Sequence, residues 1–210
     1  MPVAHPAPVR ADMRPMPRLA RRDHVLPGLP HLITMRGNAG RRLFSYARDY
    51  DQMVRYIGEA FARHGVALHQ LTLLCDQVLL VASPPTQSAL SEAMKSCLQR
   101  YAAAHNRRRH TSGRLFEQRY RSEALPDDAV GDAILTADAA APPRHPWTTA
   151  HLHCGEPELG RVPVGAWTPH RWFLALGLGA AARYRALLDV YVASGWVDEP
   201  RLSAPPARDR

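Results

Sequence analysis

The chain has 210 residues, 46% of them apolar, which is enough for one globular domain with extensions and excludes a chain disordered throughout. Its formal charge of +8 and pI near 10.0 point to a polyanionic partner, nucleic acid first and an anionic membrane second. No apolar run reaches the roughly 18 residues of a bilayer span, and Pro2, Pro6, Pro8, Pro15 and Pro17 interrupt the start as they would not in a secretory signal, so a cytoplasmic location is expected.

Cys75, Cys97 and Cys154 are odd in number and lack a CxxC spacing, which suits reduced thiols. Lys95 is the one lysine among the basic residues, so phosphate binding would rely on arginine and its planar two-pronged fork.

Residues 1–26 are rich in Pro and Arg without apolar periodicity and read as a disordered basic arm, within which Met13 and Met16 are further candidate starts. Leu32, Ile33 and Thr34 suit a short strand over His31 to Met35, ended by Arg36-Gly37-Asn38-Ala39-Gly40 and then Arg41-Arg42. Such a loop exposes backbone N–H groups beside positive charge, which suits phosphate. Tyr50, Met53, Val54, Ile57, Ala60 and Phe61 recur at three and four residues and stop at His64-Gly65, as a helix with a glycine terminus does.

The most apolar stretch runs from Leu71 to Pro85 and predicts a central hairpin, two buried strands on either side of Asp76-Gln77. Thr86 is placed to cap a second helix, from about Gln87 to Asn106, with Leu90, Met94, Cys97, Leu98 and Tyr101 on one face. Arg107, Arg108 and Arg109 suit the negative end of that helix. The charge, however, continues through Arg114, Arg119 and Arg121, interleaved with Phe116 and Tyr120, a composition suited to backbone contacts and base stacking.

Several of these segments together carry a resemblance. Residues 27–38, Ala62-Arg63-His64-Gly65-Val66-Ala67-Leu68-His69, Tyr101 with Asn106-Arg107-Arg108, and Gly113-Arg114-Leu115-Phe116-Glu117-Gln118-Arg119-Tyr120-Arg121-Ser122 resemble the REP-associated tyrosine transposases, which are HUH-type single-tyrosine enzymes. The likeness continues in His145-Pro146-Trp147-Thr148-Thr149, in residues 168–177 and in residues 183–188, so that it spans about residues 27–192. It implies an α+β, ferredoxin-like fold: an antiparallel sheet with helices on one face, assigned to residues 27–150, and a helical C-terminal extension over residues 151–197. It also implies a DNA partner, single-stranded hairpins of bacterial repeat elements. Members of the family hold a divalent metal such as magnesium or manganese with a His-apolar-His pair, and a helix-borne tyrosine attacks the phosphate.

The chain departs from that pattern. Aligned without gaps, Gln77 and Leu79 stand at the two histidines; leucine cannot ligate a metal, and one neutral glutamine oxygen is a poor replacement for two imidazoles. The stretch from Leu125 to Pro143, where the family carries its tyrosine, is short and has none. No cofactor and no catalytic residue are therefore assigned.

His151-Leu152-His153-Cys154 has a His-x-His spacing, yet follows the Pro-Trp motif where the family has an ordinary loop, which argues against a metal site. Tyr120 is read as structural or stacking, because the family has a tyrosine there besides its nucleophile. Asp127-Asp128 read as first-turn helix acids. Tyr184, Leu187, Leu188 and Tyr191 predict a packed C-terminal helix, buried core being the commoner fate of such a stripe and an interface the other, followed by a disordered tail over residues 198–210.

The expected function is a transposase-like binder of hairpin DNA that does not cut. Arg36, Asn38, Arg107, Arg108, Arg109, Arg114, Arg119 and Arg121 would hold phosphates, with Phe116 or Tyr120 stacking on a base. Two alternatives stay open: an active transposase or nuclease with a rearranged site, and an interaction protein with no DNA role. A homodimer is an open option as well.

Overall fold

The computed structural model describes residues 25–117 and 119–194. The arm expected over residues 1–26 lies outside these except for Val25 and Leu26, and the expected tail lies wholly outside. Four strands form one antiparallel sheet in the order β2-β3-β1-β4: β1 (His31–Arg36), β2 (Ala67–Leu73), β3 (Gln77–Ser83) and β4 (Arg121–Ala124). Helix α1 (Ala47–His64) links β1 to β2, and α2 (Gln87–Arg109) links β3 to β4. Each helix carries the chain past one intervening strand, which gives the expected ferredoxin-like α+β arrangement.

Local chemistry sets the element ends. Gly65 closes α1 in the left-handed region at φ 65°, and its N–H donates to the carbonyls of Ala62 and Phe61. Thr86 Oγ1 accepts from the Ala89 N–H at 3.2 Å and starts α2. The hairpin turns over three residues, closed by Leu74 and Gln77 donating to each other's carbonyls.

The period of two divides the sheet into two faces. Ile33 and Met35 of β1 and Val78 and Leu80 of β3 point one way, at most 3% exposed, into a core shared with Met53, Ile57, Phe61, Leu90, Met94 and Tyr101 of α1 and α2. Burying each of these side chains contributes about 1.5–3 kcal/mol. The opposite face is also covered over part of its area. Val81 packs in a second cluster with Val130, Ile134 and Leu135 of α3 (Val130–Ala139), Phe173 of α5 (Arg171–Leu174) and Tyr184 of α6 (Ala180–Ser194).

The outer edge of β2 does not face solvent. Leu73 donates to the Trp147 carbonyl at 3.0 Å and Thr149 donates to the Leu71 carbonyl at 2.8 Å, so residues 147–149 run beside it. Trp147 stacks on Tyr50 with centroids 4.2 Å apart, and its indole N–H donates to Asp51 at 2.8 Å. All three cysteines are free thiols. Among the described residues no helix is long and apolar enough to cross a membrane.

Candidate nucleic-acid interface

The loop after β1 and the loop after α2 meet at one end of the sheet. Asn38 N–H donates to the Leu115 carbonyl at 2.9 Å, Glu117 N–H donates to the Arg36 carbonyl at 3.0 Å, and Gly37 bridges Phe116. Gly37 also donates to the Asp76 carbonyl at 2.8 Å, which joins the β2–β3 turn to the same end. Only glycine fits there, because a Cβ on residue 37 would lie 1.8 Å from the Arg41 carbonyl oxygen.

After α2 the chain turns through His110, left-handed at φ 49°, while Asn106 Nδ2 donates to the Gly113 carbonyl at 3.1 Å. Two segments far apart in sequence, residues 36–42 and 107–121, thus present their arginines at one end of the sheet. Arg36, Arg41, Arg42, Arg107, Arg114, Arg119 and Arg121 are exposed, and Asn38 is half-buried. None of the seven arginines pairs with an acidic group among the described residues.

Arg108 and Arg109 differ from their neighbours. Arg108 reaches Asp49 Oδ1 at 2.8 Å and also Gln52, and Arg109 reaches Asp49 Oδ2 at 3.0 Å while lying 4.9 Å over the Tyr46 ring. Burial pushes the Asp49 carboxyl upward; the backbone N–H groups of Ser45 and Tyr46 and the guanidinium charges of Arg108 and Arg109 outweigh it and hold it below the usual carboxylate range. Both arginines thereby clamp the end of α2 onto the start of α1. The one carboxylate of Asp49 offsets one of their two positive charges inside the molecule.

The aromatic candidates are less accessible than the arginines. Tyr120 is 6% exposed and belongs to the first core, which favours its structural reading over base stacking. Phe116 is half-buried, with its ring 6.3 Å from that of Tyr101, and retains an accessible side.

Gln77 and Leu79 lie on the second sheet face. Gln77 sits opposite Arg36 across the β1–β3 ladder, and Leu79 opposite both Thr34 and Thr72. These residues do not fit a divalent ion: they offer one neutral oxygen and a branched hydrocarbon, flanked by a cationic guanidinium that repels a metal. Helix α3 lies over this face where the nucleophile helix is expected, and its sequence, Val-Gly-Asp-Ala-Ile-Leu-Thr-Ala-Asp-Ala, contains no hydroxyl except Thr136. Asp127-Asp128 occupy a single 3-10 turn just before it.

His151 and His153 belong to a helical turn, α4 (Ala150–His153), and not to a strand. Helical geometry turns them to different sides. His151 contacts the His145 carbonyl through Nε2 at 2.8 Å, whereas His153 contacts Asp138 through Nδ1 at 2.9 Å.

Asp138 is the feature that sequence reading passed over. It is 3% exposed and accepts from Gln70 at 3.0 Å, Thr148 at 3.0 Å, Thr72 at 3.3 Å, His153 at 2.9 Å and the Tyr184 hydroxyl at 2.7 Å. Burial disfavours its charge, but the donors, led by His153, hold its carboxyl below the ordinary range; burial, and then the Asp138 carboxylate, push the Tyr184 phenol well above its own. A carboxylate only accepts, so His153 donates from Nδ1. One buried anion therefore joins β2, α3, α4 and α6.

The fold and site together define a ferredoxin-like α+β protein with an arginine-rich loop end and a partly covered sheet face without metal-ligating residues at positions 77 and 79. No family model matches the chain, and no curated protein does. Among solved structures, a REP-associated tyrosine transposase bound to a REP hairpin is similar to it, with a TM-score of 0.54 and 11% sequence identity over 74% of this chain and 93% of that chain. At that identity the likeness establishes a shared fold.

Proposed function

We propose that the protein binds DNA hairpins with single-stranded portions, of the kind formed by repeat elements, and does not cleave them. The observation that supports this most is the joining of loops 36–42 and 113–121, which brings Arg36, Arg114, Arg119 and Arg121 to one end of the sheet without acidic partners among the described residues. Unpaired guanidinium groups gathered on two braced loops suit a polyphosphate backbone. The similar fold of a transposase bound to a REP hairpin supports the choice of DNA shape. In this reading residues 27–150 read the hairpin, and the helices beyond brace the far sheet face.

Asn38 and Phe116 complete the surface, one as an amide donor and the other as a stacking ring. Arg108 and Arg109 contribute mainly by fixing α2 against α1. The absence of cleavage follows from Gln77 and Leu79, which supply no metal site, and from an α3 without tyrosine.

The test is a labelled palindromic hairpin incubated with the protein, with and without magnesium or manganese, and resolved on native and denaturing gels. A native shift with no nicking and no protein-linked strand is expected. A covalent adduct, or metal-dependent nicking, would overturn the reading.

A further inference from the structure

We propose that Arg36, Gln77, Thr34 and Arg121 form a single phosphate-binding site on the open end of the second sheet face, one that works without a divalent ion. This rests on the DNA-binding reading above and assigns one position within it.

The strand register brings the four together. Arg36 pairs directly with Gln77, and Thr34 pairs with Leu79 on one side and Arg121 on the other. Directly paired side chains stand on one face about 5 Å apart. The alternate residues, Met35 and Val78, point into the first core at 3% and 0% exposure, which fixes the other set outward. Leu32 and Val81, further along the same face, pack in the second cluster beneath α3, α5 and α6. Where helices cover it, the face carries Leu32 and Val81 together with Gln70 and Thr72, both bonded to Asp138; at the end they leave open it carries Thr34, Arg36, Gln77 and Arg121.

That open end is positively charged. Arg36 and Arg121 are exposed and make no ion pair among the described residues, whereas Arg100, Arg108, Arg109, Arg161, Arg171 and Arg185 all do. Glu123 lies on the same face two residues beyond Arg121 and does not pair with it.

Two guanidinium groups carry the same total charge as one divalent cation. They also supply parallel N–H donors suited to phosphate oxygens. The Gln77 amide and Thr34 hydroxyl add neutral donors, and Leu79 gives the site an apolar floor. Such a site neutralises and orients a phosphate.

The experiment measures binding of the full chain to a fluorescein-labelled DNA hairpin by anisotropy across a salt series, in EDTA and in magnesium at matched ionic strength. Magnesium is expected not to raise the affinity, and as a competing counterion to lower it if anything. In Arg36→Ala/Arg121→Ala the slope of log K against log salt is expected to fall by about 1.4 to 1.8, at roughly 0.7 to 0.9 per phosphate charge neutralised. Gln77→Glu, which sets a carboxylate against Arg36, is expected to weaken binding while circular dichroism shows an unchanged fold. Arg63→Ala, at the other end of α1, is expected to leave affinity near that of the unaltered chain. Binding that requires or is strengthened by magnesium, or a double variant with unchanged slope, would overturn the site while leaving DNA binding in place. No hairpin binding by the unaltered chain would overturn the underlying reading as well.

Discussion

Acidification below neutral pH should destabilise this fold, with His170 as the largest single contributor. His170 is 7% exposed and caps α5, its Nδ1 accepting from the Trp172 N–H at 3.2 Å, with the His69 ring 4.9 Å away. Burial, then the neighbouring His69 and Arg171, bring its pKa from 6.5 down to about 4. The unfolded chain therefore takes up this proton first. The stabilisation is complete above about pH 6.5 and is lost as pH falls towards 4. At pH 5 the loss from this one group is about 2 kcal/mol, rising to about 3 kcal/mol at full protonation. Burial lowers His69, His145 and His105 in the same direction, so the whole protein should lose more than that. Urea unfolding followed by circular dichroism at intervals from pH 7.5 to 5 would measure the slope. His170→Asn retains an acceptor for Trp172 without the titration, and its stability should fall less steeply with pH by about 2 kcal/mol over that range. Identical slopes in the two proteins would refute the reasoning.

Asp138→Ala should cost about 3–5 kcal/mol in urea unfolding, because it leaves a buried imidazole, phenol and amide without their acceptor; a cost under about 1 kcal/mol would show that the cluster relaxes around the gap. Asp49→Ala should loosen the junction of α1 and α2, lowering stability by a few kcal/mol, yet steepen the salt dependence of hairpin binding as Arg108 and Arg109 are released. Gly131→Ala would set a Cβ 2.3 Å from the Trp172 ring, and should lower the thermal midpoint through displacement of that ring. Ala39 lies left-handed at φ 52°, so Ala39→Gly should raise stability by up to about 1 kcal/mol, readable as a higher urea midpoint.

Much of the fold could be read from local signals that tertiary packing did not override. The stop at Gly65 and the cap at Thr86 coincide with the observed ends of α1 and α2, and the two apolar runs fall on β2 and β3, although β2 starts four residues before Leu71 and Gln77 belongs to β3 rather than to the turn. β4 was not visible, because Arg-Ser-Glu-Ala has no β-branched or aromatic residue and becomes a strand only by pairing with β1. His-Leu-His fits either period, and Thr149 leads it into a helical turn. Long-range pairing was the larger omission. Arg108 looked like its exposed neighbours, but its partner Asp49 lies 59 positions earlier, and nothing near Asp49 announces the match. Asp138 sits among alanines, and its donors come from four separate segments.

The strand-like run at residues 147–149 also governs how this sheet can meet another chain. With the β2 side already hydrogen-bonded from within, β4 is the remaining edge, four residues long and carrying Arg121 and Glu123 outward. A second copy adding itself strand to strand would find little backbone there. Growth of the sheet into fibrillar or swapped assemblies is discouraged at both ends. Self-association, where it occurs, is left to side-chain surfaces.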